Sequence, residues 1–261
     1  MKQSFLNHDK PIITTMIQAE NPTDAICTAR NAVYDGTDAF GLQICRLNPK
    51  YRSQEQLKQI YSAMGPRPIY ITNYRTGFNE GQTDEECMEG LLRGLEAGAT
   101  LADVMGDTFN PSPMEITYDA AAVDKQKRLI DKIHGMGKEV LMSSHIYKFT
   151  EAEKVLEIAY AHQSRGADIV KIVTDAGNEE EEIENLRITN LLKKELDVPF
   201  LFLSAGTHYK LHRMVGPMLG CVMYLCVQQY DALATKSQPI LRSVRGMLDT
   251  MDYVPEVTLQ S

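Results

Sequence analysis

The chain has 261 residues, 43% of them hydrophobic, and a net charge of −8. That length suits one large domain with a substantial core. The acidic balance excludes an electrostatic footprint for nucleic acid or an anionic membrane, and no run reaches the ~18 apolar residues of a membrane span.

Taken in chain order, short apolar runs alternate with longer amphipathic ones. Ile12–Ile17 predicts a first strand and Thr23–Tyr34 a helix. Ala39–Cys45 and Gln54–Met64 form a second pair, Pro68–Asn73 and Asp84–Ala97 a third, Leu101–Met105 and Ala120–Met136 a fourth. Glu139–Ser144 with Glu151–Arg165, Ile169–Thr174 with Glu180–Leu196, Phe200–Ser204 with His208–Met218, and Cys221–Cys226 with Pro239–Met251 complete eight strand–helix units. The strands are near-continuous apolar runs, as expected where both faces of a parallel sheet are buried.

Punctuation supports this. Thr83 and Thr150 precede acidic first turns and predict helix N-caps. Gly36, Gly98 and Gly166 each follow a helix and precede a strand, the place of a left-handed C-cap. No Gly/Ser- or Pro-rich linker divides the chain. Eight such units in ~250 residues predict a single (β/α)8 TIM barrel spanning 1–261, with loose or locally docked termini at about 1–10 and 255–261. A doubly wound open sheet would carry a glycine-rich fingerprint after its first strand, and Met16-Ile-Gln-Ala-Glu20 has none.

The polar N-terminus lacks the apolar core of a signal peptide. The five cysteines form no C-x-x-C pair and read as reduced packing residues, so a cytoplasmic location is expected. The six histidines show no metal-ligand spacing, so no metal site is expected.

Lys171 interrupts the apolar run Gly166-Ala-Asp-Ile-Val-Lys-Ile-Val-Thr174. Most lysines that interrupt a strand lie at an edge or snorkel to solvent. Burial instead favours a neutral amine, a nucleophile that forms a Schiff base with a carbonyl. In a barrel, alternation puts Ile169, Lys171 and Val173 on one face of the sixth strand. The interior face, near the C-terminal mouth, is the less costly place for the charge.

Other groups are expected at the same mouth. The fifth strand ends in Met142-Ser-Ser-His145, and a histidine suits the proton transfers of imine chemistry. The third ends in Asn73-Tyr-Arg75, followed by Glu80-Gly81; Arg75 could bind an anion and Glu80 could orient His145. Arg213, after the seventh strand, can grip a carboxylate bidentately. Gln238, after the eighth, offers a neutral hydrogen bond.

These residues together resemble the type I 3-dehydroquinate dehydratase family, Schiff-base (β/α)8 lyases of the shikimate pathway. The resemblance runs from about Pro11 to Met251. It is carried by Gly166-Ala-Asp-Ile-Val-Lys-Ile172, Met142-Ser-Ser-His145, Asn73-Tyr-Arg-Thr76 with Glu80-Gly81, and Ser204-x-Gly206…Arg213-Met-Val-Gly216…Gly220. It implies dehydration of 3-dehydroquinate to 3-dehydroshikimate through an imine on Lys171. His145 would be general acid and base, and Glu80 its orienting carboxylate. Arg213 would bind the substrate carboxylate, while Arg75, Gln238 and Gln43 would make further substrate or loop contacts. It also implies a homodimer and a carboxylated hydroxy-ketone as the small-molecule partner.

The chain departs from the family at defined places. Ile146-Tyr147 replaces Asp-Phe after the histidine. The family's second strand carries Glu-x-Arg where this chain has Gly41 and Gln43. Its last loop reads Ser-x-Pro-Gly-Gln, against Ala234-Thr-Lys-Ser-Gln238 here. His208 and Tyr209 stand where the family has small residues. The departures keep open an imine-forming dehydratase or aldolase acting on another hydroxy-ketone or keto-sugar acid, and a non-catalytic carboxylate-binding barrel.

Overall fold

The computed structural model describes residues 4–6 and 8–251. Eight parallel strands run through it: β1 (Ile12–Ile17), β2 (Ala39–Gln43), β3 (Ile69–Thr72), β4 (Leu101–Met105), β5 (Glu139–Ile146), β6 (Ile169–Ala176), β7 (Phe200–Gly206) and β8 (Met223–Cys226). They alternate with helices α1 (Pro22–Tyr34), α2 (Gln54–Ala63), α3 (Asp84–Glu96), α4 (Ala120–Gly135), α5 (Ala152–Ser164), α6 (Glu179–Glu195), α7 (Lys210–Val215) and α8 (Leu241–Thr250). The strands are hydrogen-bonded in the order β7-β6-β5-β4-β3-β2-β1-β8. Val222 N donates to Phe200 O at 2.8 Å across the β7–β8 seam. The result is a nearly closed (β/α)8 TIM barrel.

The helix punctuation is mostly as the sequence predicts. Thr83 and Glu86 form a reciprocal capping box at α3, which satisfies two otherwise orphaned N–H groups. Gly36, Gly98 and Gly166 have φ of +86°, +121° and +98°, the left-handed region that glycine enters without a Cβ penalty. Thr150 is a correction. The N-cap of α5 is Glu151, with no side-chain cap bond, while Thr150 Oγ1 turns back to Lys148 O at 3.3 Å. The seventh helix is also shorter than predicted, because Pro217 lies in a 3-10 turn, Gly216–Leu219, that follows it.

The strand register sorts side chains into two layers. Ser143 pairs with Lys171, and Lys171 with Leu201, so these three face the same way. The same parity puts Met16, Gly41, Tyr70, Asp103 and His145 inside the barrel. Phe40, Leu42, Ile69, Ile71, Ala102 and Val104 face outward, in the buried cluster beneath the helices. At the N-terminal end, Phe5 is fully buried and its N–H donates to Glu139 Oε2 at 3.1 Å. Phe5 is therefore docked against β5, while the tail from Pro255 lies outside the described residues. All five cysteines are free, and four are buried as packing residues; Cys27 is exposed. Among the described residues no helix is long and apolar enough to cross a membrane.

Candidate active site

Lys171 is 4% exposed and points inward, as strand alternation predicts. It is not a lone ammonium. Its Nζ donates to Tyr74 Oη at 2.8 Å, to Tyr70 Oη at 3.0 Å and to Asp103 Oδ2 at 3.2 Å. Asp103 is 1% exposed and also accepts from Tyr74 Oη at 2.5 Å, from Tyr70 Oη and from Ser143 Oγ. Burial pushes this carboxyl up, but the Lys171 and His145 charges and the Ser143 and Tyr70 hydroxyls outweigh it and hold it below the ordinary carboxylate value. Burial, and then the Asp103 charge, push both tyrosines well above the usual phenol value.

His145 lies near the end of β5. Its Nδ1 is 2.7 Å from Glu115 Oε2, which also accepts the His145 backbone N–H at 2.9 Å. A carboxylate on Nδ1 fixes the ring so that Nε2 carries the exchangeable lone pair. The Tyr74 ring packs edge-on against the imidazole, with centroids 5.1 Å apart. Histidine and lysine are thus joined through one tyrosine.

The carboxylate bonded to His145 is Glu115, not the expected Glu80. Glu80 is exposed at the end of the short 3-10 turn Gly77–Asn79. Glu115 sits in the loop after β4 with a φ of +47°, a left-handed conformation uncommon for glutamate. Its carbonyl is held by Ser144 Oγ at 2.7 Å. Sequence reasoning missed both Glu115 and Asp103. Asp103 had a legible signal: an acid interrupting Leu101–Met105 is the mirror image of the lysine in the sixth strand. Glu115 had only its place in a loop at the C-terminal end of a strand.

Arg75 is committed to the protein itself. Nε and Nη2 bond Asp84 at 2.6 and 2.9 Å, and Nη1 bonds Asp107 at 2.9 Å. Burial alone would lower this guanidinium, but the two carboxylates outweigh it and raise it above its ordinary value. It ties the β3 and β4 loops together rather than presenting a free fork.

Arg213 is the opposite case. It is 7% exposed, donates from Nε to Ser204 O at 2.6 Å and from Nη2 to Ser237 Oγ at 3.4 Å, and has no carboxylate partner among the described residues. Burial pushes it down to about 10. Gln238 is buried nearby in sequence, and its Oε1 has no hydrogen-bond partner among the described residues. The loop carrying it is strapped down: Gln18 Nε2 donates to Thr235 Oγ1 at 2.7 Å, and Tyr230 Oη to Gln238 O at 3.0 Å. Tyr209 Oη reaches Lys236 O at 3.4 Å, so one of the two bulky residues after β7 links the last two loops. Gln43 ends β2 half-buried. Two residues below it, a Cβ at Gly41 would overlap the Met16 thioether, which fills this part of the interior.

The arrangement has the parts of an imine site: a buried amine on β6, a carboxylate-held histidine on the adjacent β5, and a buried guanidinium beside β7 on its other side. Among the described residues no cluster of His, Cys, Asp or Glu could hold a metal ion.

The family model for type I 3-dehydroquinase matches residues 13–254. A 3-dehydroquinate dehydratase of Clostridium kluyveri is 27% identical over 158 residues, 60% of this chain and 58% of that protein; the match thus spans less than two thirds of the relative. Among solved structures, a type I 3-dehydroquinate dehydratase from Clostridium difficile, with covalently modified comenic acid, superposes with a TM-score of 0.79. It is 18% identical, over 95% of this chain and 98% of that one. The 3-dehydroquinate dehydratase of Geobacillus kaustophilus gives 0.77 at 17% identity, over 94% and 93%. At those identities the structures speak for the fold; the family model carries the kinship.

Proposed function

Because the chain belongs to the type I 3-dehydroquinase family, we propose that it dehydrates 3-dehydroquinate to 3-dehydroshikimate through an imine on Lys171. The observation that carries this is the convergence, inside one barrel, of a buried amine with a carboxylate-held histidine. The neutral amine attacks the ketone, water leaves, and a protonated imine forms. The imine draws electrons from the adjacent carbon. His145 Nε2 takes the proton from that carbon and gives it to the hydroxyl one carbon further on, which departs as water, and a conjugated double bond results. Hydrolysis then frees the enone and Lys171. Glu115 keeps His145 in the required tautomer, and Arg213 holds the substrate carboxylate. The electron sink is the imine itself, so the elimination calls for no cofactor.

The test is direct. The protein is incubated with 3-dehydroquinate, enone absorbance is followed, and borohydride is added to trap the imine. Expected are an absorbance rise and a mass adduct on Lys171; an adduct elsewhere, or none, rejects the assignment. The Met16 thioether over Gly41 favours a second reading, in which the same chemistry acts on another hydroxy-ketone or keto-sugar acid. An adduct with such a compound, without enone from 3-dehydroquinate, would select it. From the family resemblance alone, the same proposal extends to a cytoplasmic homodimer, which light scattering on the purified protein and cell fractionation would check.

A further inference from the structure

Lys171 Nζ donates to Tyr74 Oη at 2.8 Å, and Tyr74 Oη donates to Asp103 Oδ2 at 2.5 Å. Both steps are shorter than the direct Nζ–Oδ2 separation of 3.2 Å. The donors run in one direction, from ammonium through phenol to carboxylate. Tyr70 makes the same two contacts but is fully buried, whereas Tyr74 is only half-buried and leans on His145. A group that exchanges protons with a reacting carbonyl must be reachable from the barrel mouth, and of the two phenols only Tyr74 is partly exposed.

The geometry points to Asp103 and Tyr74 as a second acid–base pair, dedicated to the imine nitrogen: Tyr74 passes the Lys171 proton to Asp103 and later returns it to the departing oxygen. The proposal rests on imine formation at Lys171 and assigns steps that His145 alone would otherwise carry. First, the ammonium proton moves to Tyr74 Oη as the Tyr74 proton moves to Asp103 Oδ2, leaving a neutral amine, phenol and carboxylic acid. The amine lone pair then forms the C–N bond, the carbonyl π pair goes to oxygen, and one N–H proton moves to that oxygen. In the third step the Asp103 proton returns through Tyr74 to the carbinolamine hydroxyl. The C–O bond breaks, water leaves, and the nitrogen lone pair closes the C=N⁺ bond. Asp103 is again a carboxylate, now beside the iminium cation.

The phenol is never left as a phenolate, consistent with the upward push on Tyr74. The charged and titratable groups around the pair are Tyr70 and Tyr74 at β3, His145 on β5 with Glu115 behind it, and Lys171 on β6. His162 on α5 also feels the Asp103 charge.

The test uses pentane-2,4-dione, which reports imine formation as an absorbing enaminone without any dehydration step. Rates are measured against pH for wild type, Tyr74→Phe and Asp103→Asn. In wild type the proton never leaves the pair, so the rate should stay level from about pH 5 to about pH 8. Tyr74→Phe should keep the level profile at a rate ~10–100-fold lower. Asp103→Asn must release its proton to solvent, so its rate should fall with acid through a midpoint at higher pH than wild type. The relay is overturned if wild type climbs about tenfold per pH unit through neutrality while Asp103→Asn is faster throughout. It is equally overturned by a Tyr74→Phe protein that reacts at the wild-type rate, which decides the matter should Asp103→Asn fail to fold. A protein that makes enaminone with the level profile yet leaves 3-dehydroquinate unchanged would reject the proposed activity and leave the relay standing.

Discussion

The two sides of the barrel mouth are built on opposite electrostatic plans. On the β3–β6 side the charges face protein counter-charges: Lys171 against Asp103, Arg75 against Asp84 and Asp107, His145 against Glu115. On the side formed by β7, β8 and their loops, Arg213 is buried with only a carbonyl and a serine hydroxyl, and Gln238 Oε1 is unpartnered among the described residues. A buried cation without an anion is costly, and an anionic ligand at Arg213 would offset that cost. The first side is arranged before any ligand arrives, as a site that moves protons must be.

The comparison can be broken in order of expected effect. Lys171→Met should abolish turnover and the borohydride adduct together, and residual dehydration in that variant would remove the imine from the mechanism. His145→Ala should slow turnover ~10²–10⁴-fold, the usual range for a positioned acid–base group; an unchanged kcat would exclude the histidine. Arg213→Met should act differently, raising KM ~10–100-fold as a charged hydrogen bond to substrate is lost. A change in kcat alone would place Arg213 with the chemistry instead. The two glutamates give the sharpest contrast. Glu115→Gln should lower kcat ~10-fold or more by loosening His145, while Glu80→Gln should stay near wild type. Reversal of that pair would restore the role to Glu80.

Stability should carry its own pH signature. Burial, aided by Arg165 and Arg213, pushes His162 and His212 down from 6.5 to about 3. Each is neutral when folded, and the unfolded chain binds the proton more readily between those values. The contribution is therefore fully present above about pH 6.5 and lost as pH falls towards about 3, on the order of a few kcal/mol per group. Urea midpoints taken across that range should fall steadily with acid, and His212→Gln should flatten the slope. An unaltered slope in that variant would show that His212 does not contribute.

Much of this was legible in the chain. Alternating apolar and amphipathic runs determined eight strands and eight helices, because a parallel strand buried on both faces and a helix buried on one leave different hydrophobic periods. Lys171 stood out because a charge interrupts an apolar strand, and His145 and Arg213 because they follow strands at the end where a barrel gathers its chemistry. Strand boundaries shifted by a few residues, since the ends of β5, β6 and β7 extend into loops by pairing that only neighbouring strands provide. The counter-charges belonged to tertiary structure. Asp103 and Lys171 are 68 residues apart in sequence, and His145 and Glu115 are 30 apart. Nothing local selects Glu115 over Glu80; both are loop carboxylates after a strand. Barrel closure and the β4 loop geometry bring one of them to the imidazole and leave the other in solvent. Sequence by itself determined the periods that build the barrel and the residue types that could react. The tertiary structure decided which charges meet, because Coulombic and hydrogen-bonded partnership depends on distance in space, which a linear pattern does not encode.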